Sequence, residues 1–344
     1  MVFDIHHDKL FKFYIFILAI LNINSYQFFK AYTLLSKDIL FITEEGIIKY
    51  LIESDNQITI TPIDVVITDS YELDFISFDQ SDEGNYILCR INNYIYIISN
   101  EENTVIISKE ISIIEDFIVD IKYYKYQNNN YFIISFINID GKIQIQKYEF
   151  NTDDISLINN VTKEIPNEEG IQGESLDNGI SCELMYVNGY SNNVLICFVE
   201  NYSNLLIALE FDPENDLSFI NNTINNKENE GTYDIKTIIS PNKQICLICY
   251  TKANFECILY DSKRKLFSDS VILSESFQGI YSDFDLNYVK DTNEYYIYVA
   301  PSTEEILFFR YDEYFKIKEK SNDNNCYTKY TINNFQAKYS SVII

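Results

Sequence analysis

Six times along the chain, a strand-like run carrying two or three aromatic or aliphatic residues ends in a polar turn. The turns recur at intervals of roughly 45 to 63 residues. The clearest copies are Tyr148-Glu149-Phe150-Asn151, Leu209-Glu210-Phe211-Asp212, Leu259-Tyr260-Asp261 and Arg310-Tyr311-Asp312, and another short apolar run follows each. A unit of this length made only of strands cannot bury its apolar faces alone. It buries them by stacking on its neighbours, and a radial stack of four-stranded sheets satisfies every copy in the same way.

Composition supports strands over helices. Hydrophobic residues make up 47% of the 344, with 29 tyrosines and 24 phenylalanines, and aromatic and β-branched side chains favour the pleated sheet. The excess of Ile, Asn, Lys and Tyr also matches codons rich in A and T, so genome composition accounts for part of this bias.

Turn chemistry divides the chain into an all-β β-propeller of six complete four-stranded blades plus the first strand of a seventh. First strands start near residues 30, 73, 119, 180, 234 and 282, with a partial one at 337. The first blade reads as Lys30–Ser36, Ile39–Thr43, Ile47–Glu53 and Ile58–Ile63, with Glu44-Glu45-Gly46 and Ser54-Asp55-Asn56 as turns. In the third blade, Asp140-Gly141 marks a hairpin. Ala337 to Ile344 reads as an inner strand ending on an unpaired apolar edge, which predicts a truncated chain; a closed ring of six is the alternative. Two polar stretches, Val161–Asn178 and Lys320–Asn334, interrupt the rhythm as insertions.

The segment Ile239-Ser240-Pro241-Asn242-Lys243-Gln244-Ile245 resembles the turn between first and second strands in WD40-like and YVTN-like propellers. Phe78-Asp79-Gln80-Ser81-Asp82-Glu83-Gly84-Asn85-Tyr86 resembles a longer version. The resemblance covers these hairpins and implies the propeller fold. The Gly-His and Trp-Asp pairs of WD40 repeats are absent.

The N-terminus reads as a secretory signal over residues 1–25, followed by the propeller domain over 26–344. Lys9 and Lys12 form a basic region, Phe13 to Leu21 an apolar run, and Ser25 a small residue at the cleavage point. The run is short for a bilayer span, which needs about 20 residues; an uncleaved anchor is the alternative. No later segment is apolar enough to span. Cleavage would remove His6 and His7, the only histidines.

The formal net charge of −26 argues against nucleic acid and anionic membranes as partners. A chain without histidine lacks the usual general base for serine or cysteine nucleophiles and the usual zinc ligand. Nine glycines occur singly, and no phosphate-binding glycine loop is present. No cofactor and no catalytic or metal-ligating set is therefore expected. The acidic turns Asp212-Pro213-Glu214-Asn215-Asp216 and Asn322-Asp323-Asn324-Asn325 lack the ligand spacing of a calcium loop. Asp82-Glu83-Gly84-Asn85-Tyr86 resembles the Asp-box turn of sialidases without its tryptophan, and Arg90, Arg264 and Arg310 are the only arginines for an anionic sugar.

Of seven cysteines, Cys182 and Cys197 sit symmetrically about a turn between Gly189 and Tyr190, and Cys249 and Cys257 about Ala253. Both pairs are candidates for cross-strand disulfides. The competing reading makes Cys89, Cys197 and Cys249 small residues at the second-strand position that Ser135 fills in blade three. Cys246 and Cys249 point to opposite faces of one strand. Sequons at Asn160, Asn201 and Asn221 are candidate glycosylation sites.

These features point to a secreted or cell-surface, non-catalytic interaction module, a monomer or part of a larger ectodomain. It would bind a protein or glycan through loops at one end of the channel. A carbohydrate-active propeller and an intracellular scaffold are the alternatives.

Overall fold

The computed structural model describes residues 28–33, 39–43, 46–52, 58–63, 76–81, 83–91, 93–111, 119–138, 142–163, 180–187, 191–199, 206–225, 235–240, 244–251, 255–268, 271–274, 283–289, 293–302, 305–312 and 328–331. Every regular element among them is a strand, and consecutive strands pair antiparallel into six sheets. The first sheet is β1 (Phe28–Thr33), β2 (Ile39–Thr43), β3 (Gly46–Ile52) and β4 (Ile58–Ile63). The second is β5 (Ile76–Gln80), β6 (Tyr86–Ile91), β7 (Tyr94–Ser99) and β8 (Thr104–Glu110), and the third is β9 (Val119–Tyr126), β10 (Asn129–Ile137), β11 (Ile143–Phe150) and β12 (Ile155–Lys163). The fourth comprises β13 (Ile180–Val187), β14 (Ser191–Val199), β15 (Leu206–Asp212) and β16 (Ser218–Asn225). In the fifth, β17 (Ile235–Ile239), β18 (Ile245–Thr251) and β19 (Phe255–Asp261) are followed by an outer position in two pieces, β20 (Leu266–Phe267) and β21 (Val271–Ser274), both paired with β19. The sixth is β22 (Asp283–Val289), β23 (Glu294–Ser302), β24 (Glu305–Asp312) and β25 (Thr328–Thr331).

The periodic signal in the sequence has a local cause. In the third, fourth and fifth sheets the polar residue closing the third strand caps the turn that follows. Asn151 Oδ1 accepts the N–H groups of Asp153 and Asp154 at 2.7 and 2.9 Å. Asp212 Oδ1 takes those of Glu214 and Asn215 at 2.9 and 3.2 Å, and Asp261 Oδ1 those of Lys263 and Arg264 at 2.9 and 3.0 Å. Short polar side chains serve turns because they satisfy backbone donors locally.

The resemblance between the two first-to-second-strand turns is structural as well. Ser81 Oγ accepts the N–H of Tyr86 at 3.0 Å, and Ser240 Oγ that of Ile245 at 3.0 Å. Each serine N–H donates back to the same residue's carbonyl, at 3.0 and 2.7 Å. Gly84 takes a φ of 75° in the first of these turns, a conformation open to glycine at little cost.

The sheets pack face to face through five apolar clusters, one in each seam between consecutive sheets. Leu88, Ile97, Phe132 and Tyr148 belong to the seam of sheets two and three. Ile133, Ile145, Ile196 and Phe211 fill that of three and four. Leu195, Ala208, Ile248 and Tyr260 fill that of four and five. Ile47 and Ile63 reach Phe78 and Ile87 in the first seam, and Phe255 and Phe284 meet in the last, with ring centroids 4.9 Å apart. This shared interior is that of a β-propeller.

The expected count needs correction. The four sheets that begin with β5, β9, β13 and β17 form the ring of blades packed inner strand on inner strand, instead of six plus a strand, and the first and sixth sheets flank them. The expected seventh strand, Ala337–Ile344, lies outside the described residues, as do residues 1–27. The insertion expected over Lys320–Asn334 contains β25, which pairs with β24, and Val161 to Lys163 extend β12.

Up-and-down order within each sheet sends its connections to two ends. Turns between first and second strands and between third and fourth share one end, where Asn100 N–H donates to Asn85 O at 3.0 Å and Ser262 N–H to Gln244 O at 3.1 Å. Turns between second and third strands, and the crossings between blades, share the other. Ile111 N–H donates there to Asn93 O at 2.8 Å.

Candidate functional site

The inner strands β5, β9, β13 and β17 alternate polar and apolar residues, and the polar ones converge from blade to blade. Asp79 Oδ2 on β5 accepts the N–H of Tyr123 on β9 at 2.6 Å. Asp120 Oδ2 on β9 accepts the N–H of Cys182 on β13 at 2.7 Å and the hydroxyl of Ser181 at 3.3 Å. Ser181 Oγ then meets Thr237 Oγ1 on β17 at 2.8 Å. Because Ser181 spends its proton on Asp120, the Thr237 hydroxyl donates the last link. Lys122 stands among three blades, its Nζ 3.2 Å from Glu183 Oε1 and 3.9 Å from Asp79 Oδ1.

Burial sets the electrostatics of this cluster. Desolvation pushes the Asp79 carboxyl up to about 6, against the opposing pull of Lys122 and the Tyr123 N–H. The Glu183 carboxyl rises to about 7 for the same reason, with Asp79 and Asp120 adding to the rise and Lys122 opposing it. Both groups therefore change charge near neutral pH, because taking a carboxylate out of water disfavours its charged form.

Farther out, single polar side chains tie one blade to the next. Lys109 on β8 donates to the Ile155 carbonyl and lies 3.4 Å from Asp154 Oδ1. Lys147 on β11 donates to the Pro213 carbonyl at 2.7 Å and lies over the Tyr131 ring at 4.8 Å. On the inner strand β17, Lys236 likewise reaches the next sheet, donating to the Phe284 carbonyl. Glu210, fully buried on β15, accepts from Asn193 Nδ2 at 2.9 Å, from the Tyr260 hydroxyl at 2.6 Å and from Lys265. The buried phenol of Tyr260 is raised by its desolvation and by that carboxylate.

The candidate residues from the sequence fall in different places. Cys249 stands directly opposite Cys257 across β18 and β19, with Cα atoms 4.1 Å apart, and the two are bonded. The Cys182–Cys197 pairing is corrected. The hairpin register sets Cys182 opposite Ile196 and Cys197 opposite Ser181, so the two thiols point to opposite faces of the sheet, one into each seam. Cys89, Cys182, Cys197 and Cys246 are buried and lie outside that bond, and burial lifts the last three thiols well above their ordinary range. Asn201 lies outside the described residues. Asn160 is exposed on β12, its Oδ1 accepting from Gln144 at 2.9 Å. Asn221 is half-buried on β16 and donates to Thr223 Oγ1 at 3.1 Å.

The arginines do not converge. Arg90 is buried on β6, where desolvation lowers it to about 10. Arg264 is exposed in the turn after β19, and Arg310 on β24 pairs with Glu294 through Nε at 2.6 Å and Nη2 at 3.1 Å. In the Asp212–Asp216 turn, Asp212 is occupied as the turn cap and the Pro213 carbonyl by Lys147 and the Tyr124 hydroxyl, the latter at 3.4 Å. Asn322–Asn325 lie outside the described residues. Among the described residues, no three His, Cys, Asp or Glu side chains gather to hold a metal ion, and no helix is long and apolar enough to cross a membrane.

Sequence reading missed the inner-strand cluster. Asp120 and Lys122, and likewise Ser181 and Glu183, lie two apart on strands, which marks a shared polar face. Among 52 acidic residues that signal is lost without knowledge of which strands are innermost.

No protein-family model and no curated protein sequence matches the chain. Solved structures do. The WD40 domain of SCAP from fission yeast aligns with a TM-score of 0.51 and 11% identity over 84% of this chain and 63% of that one. A chain of a mitotic checkpoint complex aligns with a TM-score of 0.52 and 10% identity over 83% of this chain and 75% of that one. The chain thus spans less than two thirds of the first of these. At such identities the likeness shows the fold alone, that of WD40-like β-propellers.

Proposed function

We propose that the chain is a non-catalytic interaction module that presents a protein-binding surface at one end of a rigid propeller. The observation that carries this reading is that the carboxylates of Asp79 and Asp120 are occupied in holding backbone N–H groups of the next blade. The inner cluster is a fastening, and recognition falls to the loops. We assign recognition to the end that carries the crossings between blades, since loops on a rigid scaffold commonly bind.

Secretion is part of the proposal. The Cys249–Cys257 bond fits an oxidising compartment, and Asn160, Asn201 and Asn221 would then be open to glycosylation. The buried thiols of Cys182, Cys197 and Cys246 favour the second reading, an intracellular scaffold. A glycan-cleaving propeller is weaker, since its arginines are scattered over three blades.

The test replaces residues 164–179 and 226–234 with Gly-Ser segments of equal length. Partners captured from host extracts by the parent chain and lost with the replacement are expected. Capture of the same partners by both proteins would contradict the reading. Intact mass of the native protein, with and without reduction, decides between the compartments.

A further inference from the structure

We propose that the outer rim of the third and fourth sheets docks a basic, amphipathic segment of a partner protein, laid across the apolar pairs Leu157–Ile158 and Phe219–Ile220. This surface is separate from the loop end assigned above.

The two outer strands repeat one local sequence, Ile155-Ser156-Leu157-Ile158-Asn159-Asn160 and Leu217-Ser218-Phe219-Ile220-Asn221-Asn222. Both carry a bulge at the same place. Tyr148 faces Leu157 and Lys147 faces Asn159, leaving Ile158 unopposed; Phe211 faces Phe219 and Glu210 faces Asn221, leaving Ile220 unopposed. A bulge breaks the alternation of faces, so two successive side chains can both project outward. All four are between 41% and 50% exposed.

That exposure is not imposed by the bulge. In the second sheet Ile106 occupies the bulge between Val105 and Ile107, and all three are packed against the core clusters. Of the six large apolar side chains exposed among the described residues, five lie on outer strands, so the exposed apolar surface is concentrated at the rim. Natural surfaces with such a concentration mark interaction sites.

The two pairs belong to one surface. Asn159 Nδ2 on β12 donates to the Asp216 carbonyl of the next blade at 2.6 Å, and Lys163 Nζ lies 4.0 Å over the Phe219 ring. Charge identifies the occupant. Asp153, Glu214 and Asp216 stand exposed or half-exposed in the turns that lead into the two apolar pairs. Asp154 beside them is engaged by Lys109 and Ser156. Lys163 lies over Phe219, Lys147 is within electrostatic reach of Glu214 and Asp216, and the chain as a whole carries −26. An acidic border around apolar side chains matches a segment that alternates basic and apolar residues.

The test uses a synthetic peptide alternating lysine with leucine and carrying one tryptophan. The chain contains no tryptophan, so peptide fluorescence reports binding without background. The full chain is expected to shift the peptide emission. Leu157→Ser with Phe219→Ser should weaken binding by about tenfold or more. Asp153→Asn with Glu214→Gln and Asp216→Asn should weaken it by several-fold and flatten its salt dependence. Thermal midpoints should fall by no more than about a few degrees, because each apolar side chain is half exposed and Phe219 loses only its edge contact to Phe211 and the cation over it. Four results would each overturn the proposal: no binding, binding unaffected by both variant sets, equal binding of a peptide with glutamate in place of lysine, or a dimer of the parent that the serine variant dissolves.

Discussion

Asp120 on one blade accepts the backbone N–H of Cys182 on the next at 2.7 Å, so a side chain supplies a hydrogen bond that no sheet ladder could make between those inner strands. Asp120→Ala leaves that N–H and the Ser181 hydroxyl without their acceptor. A buried donor left unmet costs about 1–3 kcal/mol. Urea unfolding should show a loss of that size for the alanine variant and a smaller one for Asp120→Asn, which keeps an acceptor oxygen.

The charge on Glu183 links stability to pH. A carboxyl whose folded value lies above its unfolded one favours folding when protonated. The contribution of Glu183 is therefore fully present below its unfolded value of 4.5 and is lost as pH rises through about 7. Asp79 behaves alike between 3.8 and about 6. Denaturant unfolding at pH 5 and pH 8 should show Glu183→Gln gaining on the parent toward pH 8, by on the order of 2 kcal/mol. An unchanged difference would contradict the burial argument.

Glu210 is the fully buried charge of the seam between the fourth and fifth sheets. Glu210→Ala strands Tyr260, Asn193 and Lys265 together, and loss of one partner from a buried ionic network costs about 3–5 kcal/mol. Thermal unfolding should place this variant well below Asp154→Ala, whose carboxylate is exposed.

Cys249 and Cys257 close a short loop, separated by 8 residues. Chain-entropy arithmetic for a loop of that length gives about 2.5 kcal/mol. Replacing both by alanine, which adds no polar group to the buried site, should lower the urea midpoint accordingly in oxidised protein, and should cost much less relative to reduced parent.

Much of the fold is legible in the sequence because its signals are local. Asn151, Asp212 and Asp261 mark turn caps, and Ser240 and Ser81 mark hairpin corners whose bonds close within five residues. The strands of the first sheet follow from apolar runs between such turns. What fails depends on register or on distance. Cys182 and Cys197 are symmetric about the turn by count, yet the hairpin pairs Val187 with Ser191, which moves the two cysteines one step out of opposition. The inner cluster joins Asp79, Lys122 and Glu183 over separations that only the packed blades reveal. β25 hides in a polar stretch, since its only apolar side chain is Tyr330 and its partner strand supplies the pairing.

The account rests on inner strands of successive blades lying side by side, and one cross-link tests it. Ser181 Oγ and Thr237 Oγ1 are 2.8 Å apart on β13 and β17. The double variant Ser181→Cys with Thr237→Cys, oxidised and mapped by peptide mass spectrometry, should yield a bond between positions 181 and 237 within one chain. Two reactive thiols at these positions that never join would contradict the radial packing.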